Sequence, residues 1–193
     1  MVATVKDKAF QGSYAGYGME FEQRISSDRL RRLYRYWITL KTGPAPPSRK
    51  AIDPVAIPSL LSCIVIAEIA DGGRIRYRLV GTDMVDHWGE DFTGRFLDEI
   101  MTGDYRDFIQ GLFDDAIRER ACVWSASAFR WDAGRLLPTE RLLLPLSDDG
   151  RTVNAVLVGQ VFGESGAGAV PPRRVMDTGF SVDESGRAIQ GRS

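Results

Sequence analysis

The chain has 193 residues, 44% of them hydrophobic, with 25 Lys+Arg against 26 Asp+Glu and a formal net charge of −1. That is the composition of one globular domain with extensions, not of a disordered segment or two full domains. A near-neutral balance leaves no global basic footprint for nucleic acid, and two cysteines with one histidine exclude a disulfide framework or a zinc site of about four Cys/His ligands.

Residues 1–21 lack the apolar core of a signal peptide, and their Gly- and Tyr-punctuated sequence shows no period. We expect a mobile arm over 1–26. From Asp28 the pattern changes: Leu30, Leu33, Tyr34, Trp37 and Ile38 recur at the i, i+3, i+4, i+7, i+8 spacing of one helix face. Arg29, Arg31, Arg32 and Arg35 fall mostly on the other side. Ser27 or Asp28 suits the N-cap, and Gly43-Pro44 ends a helix predicted over 28–42. The proline-rich stretch that follows is an extended connector, and Asp53-Pro54 reads as the capped start of a short helix to Leu61.

Residues 62–70 read as a strand, Asp71-Gly72-Gly73 as a hairpin turn, and 74–80 as the returning strand. On the latter, Ile75, Tyr77 and Leu79 share one face and Arg74, Arg76 and Arg78 the other. Short helices and turns are expected over 82–100. A longer helix follows from Asp104, with Tyr105, Phe108, Ile109, Leu112, Phe113, Ala116 and Ile117 as one apolar stripe. Three strands complete the pattern: 122–131, 139–146 and 152–162. Asp148-Asp149-Gly150 joins the last two, and Pro145 argues against a central position for its own residue, where the strand is expected to end or bulge. The remainder, 163–193, has the composition of a disordered tail. The longest uncharged stretch, 54–67, holds two prolines and is shorter than the roughly 18 apolar residues of a membrane span. A cytoplasmic protein follows, with Cys63 and Cys122 as buried thiols in a reducing compartment.

The order of elements predicts an α+β fold with one antiparallel sheet and helices grouped on a face. Leu33-x3-Trp37, Gly43, Pro47-Ser48-Arg49, Asp53-Pro54, Tyr77-Arg78-Leu79-Val80-Gly81-Thr82, Gly89-x4-Gly94 and Leu144-Pro145-Leu146 stand in an order that resembles a PAS domain. More narrowly they resemble an uncharacterised PAS-like family found mainly in alphaproteobacteria. The resemblance runs from Asp28 to Phe162. It implies a five-stranded sheet with short helices and one long helix on one face, preceded here by the amphipathic N-terminal helix, within a domain of 27–162. It also implies a sensory or interaction role, and it brings no assigned ligand.

Haem-binding PAS relatives carry their axial histidine on the long helix, and 104–120 has none; His87 falls in the short-helix region. Photosensory relatives attach flavin through a cysteine, and Asp91–Leu97 has none. No cofactor is therefore expected. No nucleophile elbow, phosphate loop or zincin motif occurs, and Asp114-Asp115 and Asp148-Asp149 belong to a helix's polar side and a turn. We expect a non-catalytic module with one of two roles. Either a cavity between sheet and helices takes a small molecule, walled by Tyr77, His87, Trp88, Tyr105, Ile109, Trp124 and Phe129, or those side chains fill it and the domain only docks to a partner. A transcription-associated regulator using the basic helix is a further alternative, although specific nucleic-acid binding is not expected.

The last two strands are apolar on both faces: Leu142, Leu144 and Leu146 against Leu143, and Val156 and Val158 against Val153, Ala155, Leu157 and Val161. Such a sheet needs cover on both sides. The helix bearing Leu30, Leu33, Tyr34, Trp37 and Ile38 is expected to pack on the outer face and, through its exposed edge, to form a homodimer. Output is expected through a separate protein. Arg76 and Arg78 are expected to snorkel over the sheet or to meet acidic groups of a neighbouring strand, and Arg130 and Glu140, on consecutive strands, offer a cross-strand ion pair.

Overall fold

The computed structural model describes residues 10–130, 136–163, 180–182 and 188–190. Its main sheet is antiparallel throughout and has six strands: β1 (Phe10–Gly16), β2 (Ile64–Ile69), β3 (Ile75–Val80), β4 (Cys122–Arg130), β5 (Leu136–Leu146) and β6 (Ala155–Phe162). Their spatial order is β1-β4-β5-β6-β2-β3. The helices are α1 (Met19–Arg24), α2 (Asp28–Thr39), α3 (Thr82–Trp88), α4 (Leu97–Ile100) and α5 (Gly103–Glu119). No described helix is long and apolar enough to cross a membrane.

The expected five strands become six because β1 forms inside the segment read as a mobile arm. It pairs with β4 along the sheet edge, and α1 follows it. Phe21 and Ile25 are fully buried, and the Gly18 N–H donates to the Tyr34 hydroxyl at 2.9 Å. These few anchors hold residues whose sequence has no periodic pattern. In the expected tail, β7 (Phe180–Val182) and β8 (Ala188–Gln190) pair antiparallel. Phe180, Val182, Ala188 and Ile189 give these two short runs a strand composition that the polar segment around them lacks.

Helix α2 begins at the predicted cap, where the Ser27 hydroxyl accepts from the Leu30 N–H at 3.4 Å. It stops at Thr39, short of residue 42, because its last turn tightens: the Leu40 N–H reaches the Trp37 carbonyl at 3.2 Å. The Asp53 carboxylate caps Val55 at 2.9 Å, and 3-10 turns over Pro54–Ala56 and Pro58–Cys63 lead into β2. On the hairpin, Glu68 of β2 meets Arg78 at 3.3 Å and Arg76 at 3.7 Å. The foreseen Arg130–Glu140 pair does not consist of cross-strand neighbours, and the Arg130 side chain lies outside the described residues. The register sets Glu140 opposite Ala126 and Arg130 opposite Leu136.

Strand β5 is central in the sheet, but Pro145 itself is not. The strand's pairing with β4 begins at Val123–Leu143, so Pro145 has only β6 beside it, opposite Val156. Locally the proline is at an edge, where a missing N–H is tolerated. Its carbonyl accepts the buried Trp37 indole N–H at 3.0 Å.

Two cores result. On the inner face Val65, Tyr77, Val123, Leu143, Val156 and Val158 pack beneath Met84, Phe92, Leu97, Ile109 and Phe113. On the outer face Trp124, Leu142, Leu144 and Leu157 pack beneath Phe21, Leu30, Leu33 and Trp37. Gly159 is the seat of α2: a Cβ there would lie 2.6 Å from methyls of both Leu30 and Leu33.

Candidate functional site

Strand alternation decides which side chains can reach the space under α5. On β5, Leu142, Leu144 and Leu146 face the outer core, so Arg141 and Leu143 face inward. On β6, Leu157 lies outside while Val158 and Gln160 point to the interior. Between this face and the helices lies a cavity of about 30 Å3, bounded by Val65, Tyr77, Leu143 and Val158 of the sheet. Met84 of α3, Met101, and Tyr105, Ile109, Leu112 and Phe113 of α5 close it, and Arg141 and Gln160 supply polar groups. That is room for about one or two waters, in a lining that is otherwise apolar.

Arg141 dominates its chemistry. The side chain is buried, with 2% of the residue exposed. One terminal nitrogen donates to the Ser127 hydroxyl at 2.6 Å and the other to the Tyr105 hydroxyl at 2.8 Å. Among the described residues its Nε has no hydrogen-bond partner, and neither has the buried hydroxyl of Ser125, which stands opposite Arg141 in the register. Among the described residues no carboxylate forms an ion pair with Arg141. Burial pushes the Tyr77 hydroxyl well above the usual phenol range, with Tyr105 adding to the shift and the Arg141 cation opposing it.

Of the residues singled out from the sequence, Tyr77, Tyr105 and Ile109 line this cavity. His87 and Trp88 do not. The His87 ring stacks on Phe162 at 3.8 Å, and its Nδ1 lies 2.6 Å from the Asp83 carbonyl. Trp88 meets Phe92 edge-on at 5.9 Å and tilts against Tyr105 at 6.4 Å, roofing the core beside the cavity. Trp124 is on the opposite face of the sheet. The alternation that turns Val123 inward turns Trp124 outward, where its indole N–H donates to Glu140 at 2.6 Å. Phe129 belongs to β4 by its backbone; its side chain lies outside the described residues. Leu30, Leu33, Tyr34 and Trp37 are buried on the outer face, and Ile38, 38% exposed, lies at the edge of α2.

Sequence reasoning missed Arg141 and Gln160. The signal was present in the run Leu142, Leu144, Leu146: once these share the outer face, Arg141 has to share the inner one with Leu143.

An antiparallel sheet with one face roofed by short helices and a long helix around a small internal cavity is the architecture of a PAS domain. The chain belongs to the PAS_5 family of PAS domains, whose model matches residues 25–160. Among solved structures, an RNA-binding light-oxygen-voltage receptor is similar at 18% identity, with a TM-score of 0.39. The match covers 61% of this chain and 36% of that receptor, so this chain spans well under two thirds of its length. No curated protein matches the chain.

Proposed function

We propose that this PAS domain is a non-catalytic sensory module that takes a small molecule into the cavity between the inner sheet face and α5. The observation that carries the reading is the lining itself: apolar side chains from six secondary-structure elements with Arg141 and Gln160 converging among them, the usual composition of a ligand site. At about 30 Å3 the space suits a ligand of only a few heavy atoms unless α3, α4 or the start of α5 moves. Native mass spectrometry of the purified protein tests this: a stoichiometric small molecule that leaves on denaturation supports it, and bare-chain mass throughout counts against it.

The same small volume favours a second reading, an interaction module whose interior is already filled. In either case the output is transmitted through a separate protein, and a second copy docks on the outer edge of α2 around Ile38. Sedimentation equilibrium at tens of micromolar tests the dimer, and a monomer there removes it. The regulator alternative is weaker, because the basic face of α2 is engaged within the chain. Arg29 pairs with Asp83 at 2.8 Å and Arg35 with Glu22 at 2.6 Å.

A further inference from the structure

We infer that Arg141 is the anion-binding group of the cavity and that the ligand is a small carboxylate with a short apolar body. The inference rests on the sensory reading above and narrows it to a chemical class. A guanidinium is charged at any pH a protein meets, and burying one is costly unless an anion or a complete set of acceptors receives it. Here the acceptors are the neutral hydroxyls of Ser127 and Tyr105, and Nε is left without one.

The second observation is independent of the charge. The Ser125 hydroxyl, also buried, lacks a partner as well, and Ser125 is the residue directly across the ladder from Arg141. Two unsatisfied polar atoms thus occur on one rung of the inner face. Gln160 lines the same space from β6, the strand on the other side of β5. The rung is also remote from the backbone pair Arg130–Leu136; five residues of strand set Arg141 about 17 Å from Leu136. A carboxylate at this rung would accept from Nε and from Ser125. Its short chain would then lie among Val65, Met84, Ile109 and Val158. A guanidinium recognises a carboxylate through parallel N–H donors in a fixed plane, and the apolar walls would select against a hydrated ion such as sulfate.

The test uses the full chain and two probes of nearly identical shape, propionate and propionamide, titrated to millimolar concentration. Arg141 Nε–H and the methyls of Met84 and Met101 are followed by NMR. Propionate is expected to shift all three signals saturably, with propionamide about 10- to 100-fold weaker, the range of a hydrogen bond to a charged group. Arg141→Met, which keeps the volume apolar, is expected to abolish the preference. Because the Nε–H signal is read in the unmutated protein, the result does not depend on that variant folding. Equal binding of the two probes in the cavity would overturn the assignment of Arg141 while leaving a ligand-binding sensor intact. Propionate shifts confined to surface residues would also overturn it. If bare-chain mass is found as well, the sensory reading falls with it.

Discussion

Glu140 is the most consequential polar residue outside the cavity, and Glu140→Gln tests why. The residue is 8% exposed, and its carboxylate accepts four hydrogen bonds from the described residues, none of them from a cation. Oε1 takes the Ser26 N–H at 2.7 Å and the Trp124 indole at 2.6 Å. Oε2 takes the Ser26 hydroxyl at 2.7 Å and the Ser27 N–H at 2.9 Å. Glutamine replaces one oxygen by an NH2 group, which then faces two donors. At the Oε1 position both the Ser26 N–H and the indole lose their acceptor. At Oε2 the Ser26 hydroxyl can turn and accept, so only the Ser27 N–H is orphaned. The second arrangement costs less, and the variant will adopt it. One orphaned donor costs about 1–3 kcal/mol, and the remaining bonds lose their charge assistance, so we expect about 2–4 kcal/mol of destabilisation. Urea denaturation followed by tryptophan fluorescence reads it as a lower midpoint with unchanged slope. A loss below about 0.5 kcal/mol, the range of neutral surface changes, would refute the four-donor account.

Gly159→Ala places a methyl 2.6 Å from side-chain carbons of Leu30 and Leu33 and should cost about 1–3 kcal/mol as overpacking; an unchanged denaturation midpoint would show that α2 does not sit there. Hydrogen bonds from the Thr152 and Arg151 N–H groups and from Ser147 hold the Asp149 carboxyl down to about 2. Because this folded value lies below the unfolded one of about 3.9, the unfolded chain binds more protons in between. The stabilisation is complete above about pH 4 and lost as pH falls through 2, so Asp149→Ala should flatten the acid limb of a stability–pH curve. Burial pushes the thiols of Cys63 and Cys122 above the usual range. Both should react with a disulfide reagent only as fast as the protein opens, and labelling of the native protein within seconds would contradict this.

The elements legible in the sequence are those whose pattern is set by one face. Helix α2 shows its buried stripe because its opposite side is solvated, and the β2–β3 hairpin shows because Asp71-Gly72-Gly73 admits little else. β1 and α1 were hidden because burial there rests on isolated residues, chiefly Phe21 and Ile25, and an edge strand needs no alternation. The cavity was half legible. Tyr105 and Ile109 follow from the stripe of α5, and Tyr77 from the alternation of β3. Trp124 was misread because β4 presents Cys122, Trp124 and Ala126 to the outer face and Val123, Ser125 and Ser127 to the inner one. With both faces covered, apolarity no longer says which side is inside. Arg141 was hidden for a related reason: a charged residue on a strand reads as solvated, and only its neighbours' parity places it indoors.

That parity gives β5 a double role. Glu140 and Arg141 are consecutive, both buried, and on opposite faces. Glu140 holds the chain just before α2, through Ser26 and Ser27. Near its other end α2 is tied to the same strand, through the Trp37 indole on the Pro145 carbonyl. Arg141 therefore lies between the two attachment points of α2, on the reverse side of the strand that carries them. Since β6 flanks β5 throughout this region and β4 flanks it as far as Leu143, the strand cannot swing freely. A displacement begun at Arg141 would be delivered to both attachments together, moving α2 as a unit. Cutting one attachment should change that. In Glu140→Gln, amide exchange of the first turn of α2 should rise while the turn around Trp37 stays protected. Equal loosening of both ends would mean that α2 is held by its apolar face alone, and that β5 carries no connection from the cavity to the outer helix.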